Sequence, residues 1–126
     1  MQIKAILSKK AILGCLLLTL SAHPDKTDIV GRWKTKPSEK GNVTLVNFKS
    51  DNHFDGFINK KPFVTGTYQY QYPELYFIDN GCEGKTGRYK VIFFSNDDSI
   101  RLEPIADSCK ERMEGMKRMV LGRITK

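Results

Sequence analysis

The feature that most constrains this chain is how often turn-forming residues interrupt it. From residue 29 onward, short β-type runs are separated by Pro37-Ser38-Glu39-Lys40-Gly41-Asn42, Ser50-Asp51-Asn52, Asn59-Lys60-Lys61-Pro62, Asp79-Asn80-Gly81 and Asn96-Asp97-Asp98. Glycine and asparagine accept positive φ, aspartate and serine bond their own backbone, and proline presets φ, so each cluster reverses the chain at little cost. Turns at this spacing leave no room for long helices and specify an antiparallel sandwich or barrel.

The runs between the turns predict strands over 30–35, 43–49, 53–58, 63–71, 74–79, 87–95, 99–104 and 116–124. Their periodicity is 2, as a strand with one buried face requires. In the fourth run Val64, Gly66, Tyr68, Tyr70 and Tyr72 share a face opposite Thr65, Thr67 and Gln69. Ile100 and Leu102 face in while Arg101 and Glu103 face out. The 87–95 run is apolar on both faces, so its alternation does not say which side is inside. One stretch breaks the pattern. Ser108-x-x-Glu111 fits a capping box, in which a hydroxyl and a carboxylate satisfy free N–H groups at a helix start. It predicts a short helical turn near 107–114, ended by Gly115.

The first 22 residues read as a signal peptide. Lys4, Lys9 and Lys10 form a basic start, Ala11 to Ala22 an apolar stretch, and Ser21-Ala22 a small-residue cleavage site. The stretch is too short to span a bilayer, which takes about 20 apolar residues. The expected organisation is a signal at 1–22 and one domain at 23–126, secreted or periplasmic. Ile12-Leu13-Gly14-Cys15 imitates a lipobox, and lipidation at Cys15 would instead tether the protein to a membrane. Only four apolar residues lie between Lys10 and Cys15, fewer than the roughly 7–15 a signal needs before its cut, which disfavours this route.

Signal removal takes three of the 21 basic residues and none of the 14 acidic ones, leaving a net charge of +4. Residues 23–109 balance, with 12 of each sign, whereas residues 110–126 carry six basic and two acidic side chains. This basic C-terminal stretch reads either as a solvated edge or as a site for an anionic protein or membrane surface. Without a recognition motif, nucleic acid is not an expected partner. Removal also takes Cys15, leaving Cys82 and Cys109 as an even pair, which in an oxidising compartment predicts a disulfide.

Catalytic and metal motifs fail inspection. Gly84-Lys85-Thr86 resembles the end of a P-loop, but the required earlier glycine is Asp79, and a strand follows it. His53 with Asp51 and Asp55 reads as a solvated turn before it reads as a cation site. Asp97-Asp98 reads as a hairpin turn, and Asp107 as a turn or cap residue. No acid–base or nucleophile set emerges, so neither an enzyme nor a cofactor or metal is expected. The aromatic residues are more informative. Tyr68, Tyr70, Phe77, Tyr89 and Phe93 are the residues expected to line an interior site for a small apolar or amphipathic ligand, and the tyrosine hydroxyls there would need polar partners.

Gly31-Arg32-Trp33, a G-x-W after a polar lead-in, resembles the start of the lipocalin and fatty-acid-binding (calycin) families. The later Gly66-Thr67-Tyr68, Leu75-Tyr76-Phe77-Ile78-Asp79, Gly87-x-Tyr89 and Asp107-x-Cys109-x-x-Arg112 are similar to small secreted bacterial lipocalin-like domains. The resemblance implies an all-β fold, an eight-stranded antiparallel up-and-down barrel. It also implies that Trp33 closes one end while an arginine late in the chain, Arg118 or Arg123 with Arg123 assigned, packs across the indole by cation–π attraction. The expected function is then non-catalytic ligand binding. The alternative is a protein-interaction or inhibitor module acting through the basic C-terminal strand and a disulfide-held loop. Intact-mass measurement of the exported chain is expected to find His23 at its start; a diacylglyceryl adduct on Cys15 would reverse the assignment.

Overall fold

The computed structural model describes residues 27–124, so the signal peptide reading falls outside the described residues. Eight strands run β1 (Gly31–Lys34), β2 (Thr44–Phe48), β3 (His53–Ile58), β4 (Lys61–Gln71), β5 (Glu74–Asp79), β6 (Thr86–Phe94), β7 (Ser99–Asp107) and β8 (Val120–Arg123). A single short helix among the described residues, α1 (Lys110–Met116), connects β7 to β8. Each strand pairs antiparallel with the next and β8 pairs with β1, giving a closed up-and-down barrel. Closure removes the exposed sheet edges that would otherwise invite aggregation.

The turn chemistry explains the hairpins. Asn59 and Lys60 both take positive φ (52° and 71°), the conformation of a two-residue hairpin turn, and Ile58 pairs directly with Lys61. Ser95, Asn96 and Asp97 also take positive φ, and the Asp98 N–H donates to Ser95 O at 3.1 Å. The 87–95 ambiguity is resolved: Tyr89 and Val91 are buried and Phe93 packs against the core, so Lys90, Ile92 and Phe94 form the outer face. Gly66 on β4 is a packing requirement. A Cβ there would collide with the Ile78 carbonyl and the Asp79 backbone of β5.

Because the strands alternate in direction, the turns fall at two ends. The lead-in (residues 27–30) and the β2–β3, β4–β5 and β6–β7 turns lie at one end. The β1–β2, β3–β4 and β5–β6 loops and α1 lie at the other. The first end is closed by Trp33, which is fully buried. Its Nε1–H donates to Ile29 O at 2.8 Å, which draws the lead-in across the barrel and buries Ile29. Arg123, its cross-strand neighbour, lies over the indole at 4.4 Å. Arg123 also donates to Asp97 O (2.8 Å) and Asp28 O (3.3 Å), tying a turn and the lead-in to the stack.

The helix differs from its expectation. β7 continues to Asp107, and α1 starts at Lys110 with Cys109 as N-cap and no side-chain cap hydrogen bond, so the Ser108–Glu111 capping box does not form. Asp107 accepts the Cys109 N–H (2.9 Å), and the N-cap position falls on Cys109, one residue beyond Ser108. The helix runs through Gly115 to Met116, and β8 begins only at Val120.

Cys82 and Cys109 form a disulfide, with Cα atoms 6.1 Å apart and a separation of 27 residues. It joins the β5–β6 loop to the start of α1. Closing a loop of this length restricts the unfolded chain by about 3 kcal/mol. The double variant Cys82→Ser/Cys109→Ser is expected to lose about that much stability in urea melts; an unchanged midpoint would show that the bond adds nothing at equilibrium.

Candidate functional site

The end of the barrel opposite Trp33 is open to a cavity of about 480 Å³. Its inner wall is Phe48, Phe54, Leu75, Phe77, Leu102 and Leu121, all buried side chains on the inward faces of five strands. Toward the opening it is lined by Thr44, Val64, Met116 and Met119, which are only partly buried, and by Phe63, which is 67% exposed. Phe63 owes its position to the β3–β4 register shift, where Phe57 faces Pro62 but Gly56 faces Val64, so that Phe63 is the extra residue. Val46 and Gly56 complete that side; a Cβ on Gly56 would press into the Val64 side chain.

The exposed Glu111 and one buried charged cluster reach the cavity wall. Arg112, on α1, donates from Nε and Nη2 to the two Asp107 oxygens at 2.8 Å each, from Nη1 to Asp79 Oδ2 at 3.2 Å, and from Nη2 to Lys85 O at 2.9 Å. The guanidinium lies 4.9 Å from the centre of the Phe77 ring, and Tyr89 stacks with Phe77 at 5.5 Å. The Tyr89 hydroxyl donates to Asp107 Oδ2 at 2.5 Å. Gly87 makes room for this: a Cβ there would lie 3.0–3.1 Å from Tyr89, Arg112 and Asp107. Burial pushes the Asp107 carboxyl up, but the bonds from Arg112, Tyr89 and the Cys109 N–H outweigh it and hold it below its ordinary value. Burial, reinforced by Asp107, raises the Tyr89 phenol, so it stays a neutral donor. The arrangement is saturated: both carboxylates and the guanidinium are committed to one another, which suits a rigid wall.

The expected ligand-lining residues separate along the barrel axis. Phe77 is on the cavity wall. Tyr89 packs against Phe77 and bonds Asp107. Tyr68 and Tyr70 lie at the closed end, where their hydroxyls donate to Lys49 O (2.6 Å) and Thr27 O (2.5 Å). Phe93 packs edge-on against Trp33 at 6.4 Å. All five point inward or pack on the core, as the alternation requires, but alternation carries no information about depth. The hydroxyls meet backbone carbonyls of the lead-in and a turn, so the tyrosine face needs no polar ligand.

The remaining sequence candidates resolve as local structure. His53 and Asp51 meet within one exposed turn, with the Asp51 carboxylate accepting the His53 N–H at 3.0 Å. Asp98 lies 3.7 Å from Arg123 Nε. Gly84-Lys85-Thr86 leads into β6, a strand.

Sequence reasoning missed the Asp79–Arg112–Asp107 cluster, although a signal existed. Each cysteine closely follows a strand-terminal aspartate, Asp79 before Cys82 and Asp107 before Cys109, so pairing the cysteines brings two carboxylates together. Arg112, three residues after Cys109, is the neutralising charge.

No family model, curated protein or solved structure matches the chain.

Removing one partner of a buried ion pair costs about 3–5 kcal/mol, because the other charge is left uncompensated. Arg112→Met is expected to lose stability in that range in urea melts. The folded Asp107 pKa lies below its unfolded value of 3.8, so its contribution is complete above that pH and is lost as pH falls through the folded value. Melts between pH 2 and 6 are expected to show a shallower acid limb for Asp107→Asn than for the wild type; parallel limbs would assign the acid loss to other groups.

Proposed function

We propose that this chain is an exported, non-catalytic, lipocalin-like binding protein that holds a small apolar or amphipathic ligand in the open-ended cavity. The observation that carries the reading is the cavity itself. Its volume of about 480 Å³ lies in the range of small-molecule sites, and its wall is almost entirely hydrocarbon and aromatic. An eight-stranded barrel is just wide enough either to fill with its own side chains or to hold one small ligand. Three features keep this one from filling: Gly56, Phe63 held exposed at the opening, and an α1 with no fully buried residue.

The family reading is supported by the G-x-W strand, the Trp33–Arg123 stack and the strand order. Export is supported by the disulfide and by the signal-like N-terminus. The non-catalytic reading is supported by the pairing of Asp79 and Arg112, two of the three charged residues on the cavity wall, with each other and with Asp107; the third, Glu111, is an exposed carboxylate on α1. Phe77 is the one member of the aromatic set that belongs to this site; Val46, Phe54, Val64, Met116 and Met119 replace the others as its contacts.

The second reading, a protein-interaction or inhibitor module, is favoured by one observation. The disulfide fixes the 80–85 loop beside α1, which gives the open end a rigid, partly exposed rim.

Displacement of an environment-sensitive apolar fluorophore from the full chain tests the first reading. Micromolar binding of the fluorophore to the wild type is expected, and Val46→Trp, which fills the cavity, is expected to abolish it. Val64→Phe is the milder filling variant should the indole unfold the barrel. Absence of fluorophore binding, or equal binding by a folded filled variant, would overturn the reading.

A further inference from the structure

The two ends of the barrel carry opposite charge. At the open end, the β1–β2 loop holds Lys36 and Lys40 against Glu39, and the β3–β4 hairpin holds Lys60 and Lys61. The β5–β6 loop holds Lys85 against Glu83, and α1 with its flanks holds Lys110, Lys117 and Arg118 against Glu111 and Glu114. All of these are exposed, and their sum is four positive charges. The Asp79–Arg112–Asp107 cluster beneath subtracts one. At the closed end, Asp28, Asp51, Glu74, Asp97 and Asp98 outnumber Arg32, Lys49 and Arg123, which leaves two negative charges. The basic excess read from the C-terminal stretch is therefore one sector of a ring, and three other loops complete it.

We infer that the open end docks on an anionic lipid surface, with Phe63 entering the interface and the cavity mouth facing the bilayer. Two observations favour a membrane over an acidic protein. The charges are distributed around the whole rim, which suits a laterally uniform anionic plane better than one discrete acidic patch. The most exposed large apolar residue of the described chain, Phe63, stands on the same rim beside the opening, where an aromatic ring can enter the headgroup layer. The acidic end does not cancel the attraction. A nine-residue strand tilted in a barrel separates the ends by about 20 Å. The Debye length at physiological salt is about 8 Å, so a surface at the rim is screened from the far end, whose like charge favours this orientation over the inverted one.

The docking does not require the cavity to be occupied, so its test stands apart from the fluorophore experiment above. The full chain is mixed with vesicles of phosphatidylcholine, with or without phosphatidylglycerol at a third of the lipid, at low salt. Sedimentation is expected with the anionic vesicles only, and raising the salt to about 0.5 M, where the Debye length falls to roughly 4 Å, is expected to release it. The variant Lys60→Gln/Lys61→Gln/Lys117→Gln/Arg118→Gln is expected to bind at least tenfold more weakly, whereas Lys49→Gln at the closed end is not. Phe63→Trp fluorescence is expected to be quenched by brominated lipid, and that of Trp33 in the wild type is not. Equal binding to both vesicle types, no binding at low salt, full binding by the quadruple variant, or quenching of Trp33 without quenching at position 63 would each overturn the inference. The second result would leave an acidic protein as the partner.

Discussion

The barrel depends on closing a short seam. Among the described residues β1 and β8 share two residue pairs, Trp33 with Arg123 and Lys34 with Gly122, and the Ile124 N–H adds one bond to Arg32 O. So few ladder bonds would not hold two strand edges together alone. The seam is held by what lies on it. Trp33 is buried, with Arg123 over its face, and the same guanidinium gathers carbonyls from the lead-in and from the β6–β7 turn. With its indole buried and its guanidinium partly exposed, this cation–π pair contributes about 1–2 kcal/mol. Here it also fixes the register that makes a ring of strands rather than an open sheet.

The open end uses a related device for a different purpose. Arg112 also lies over an aromatic ring and also reaches a backbone carbonyl, but it neutralises two carboxylates that belong to different strands. With the disulfide, it binds the 108–119 connection to the β5–β6 loop. That connection therefore stands as an arch over one side of the opening instead of collapsing inward. α1 and the segment after it contribute Met116 and Met119 to the cavity without plugging it. One arginine closes the barrel, and the other keeps its mouth shaped.

The strands were legible because each has one buried face and is bounded by turn residues; β3 and β5 match their expected limits to the residue. The disulfide was legible from parity. Depth along the axis was not: Tyr68, Tyr70, Tyr89 and Phe93 obey the same alternation as Phe77 yet sit at the closed end or behind the wall. The helix start was misplaced because Ser108 has the right chemistry for a cap, but Asp107 holds the Cys109 N–H and the N-cap position falls on Cys109, one residue later. Arg112 and Asp79 are 33 residues apart and meet only once the barrel has closed, so no local window contains their pairing.

An even number of strands returns the chain to the end from which it started. β1 begins, and β8 finishes, at the rim that Trp33 seals. Anything joined to the domain at either side, whether a purification tag, a surface linker or a second folded unit, thus leaves from the side away from the cavity. The mouth stays unobstructed when the barrel is held by the flank of β1 or of β8 at the sealed rim, whereas a graft into the β3–β4 hairpin would stand directly in the entrance.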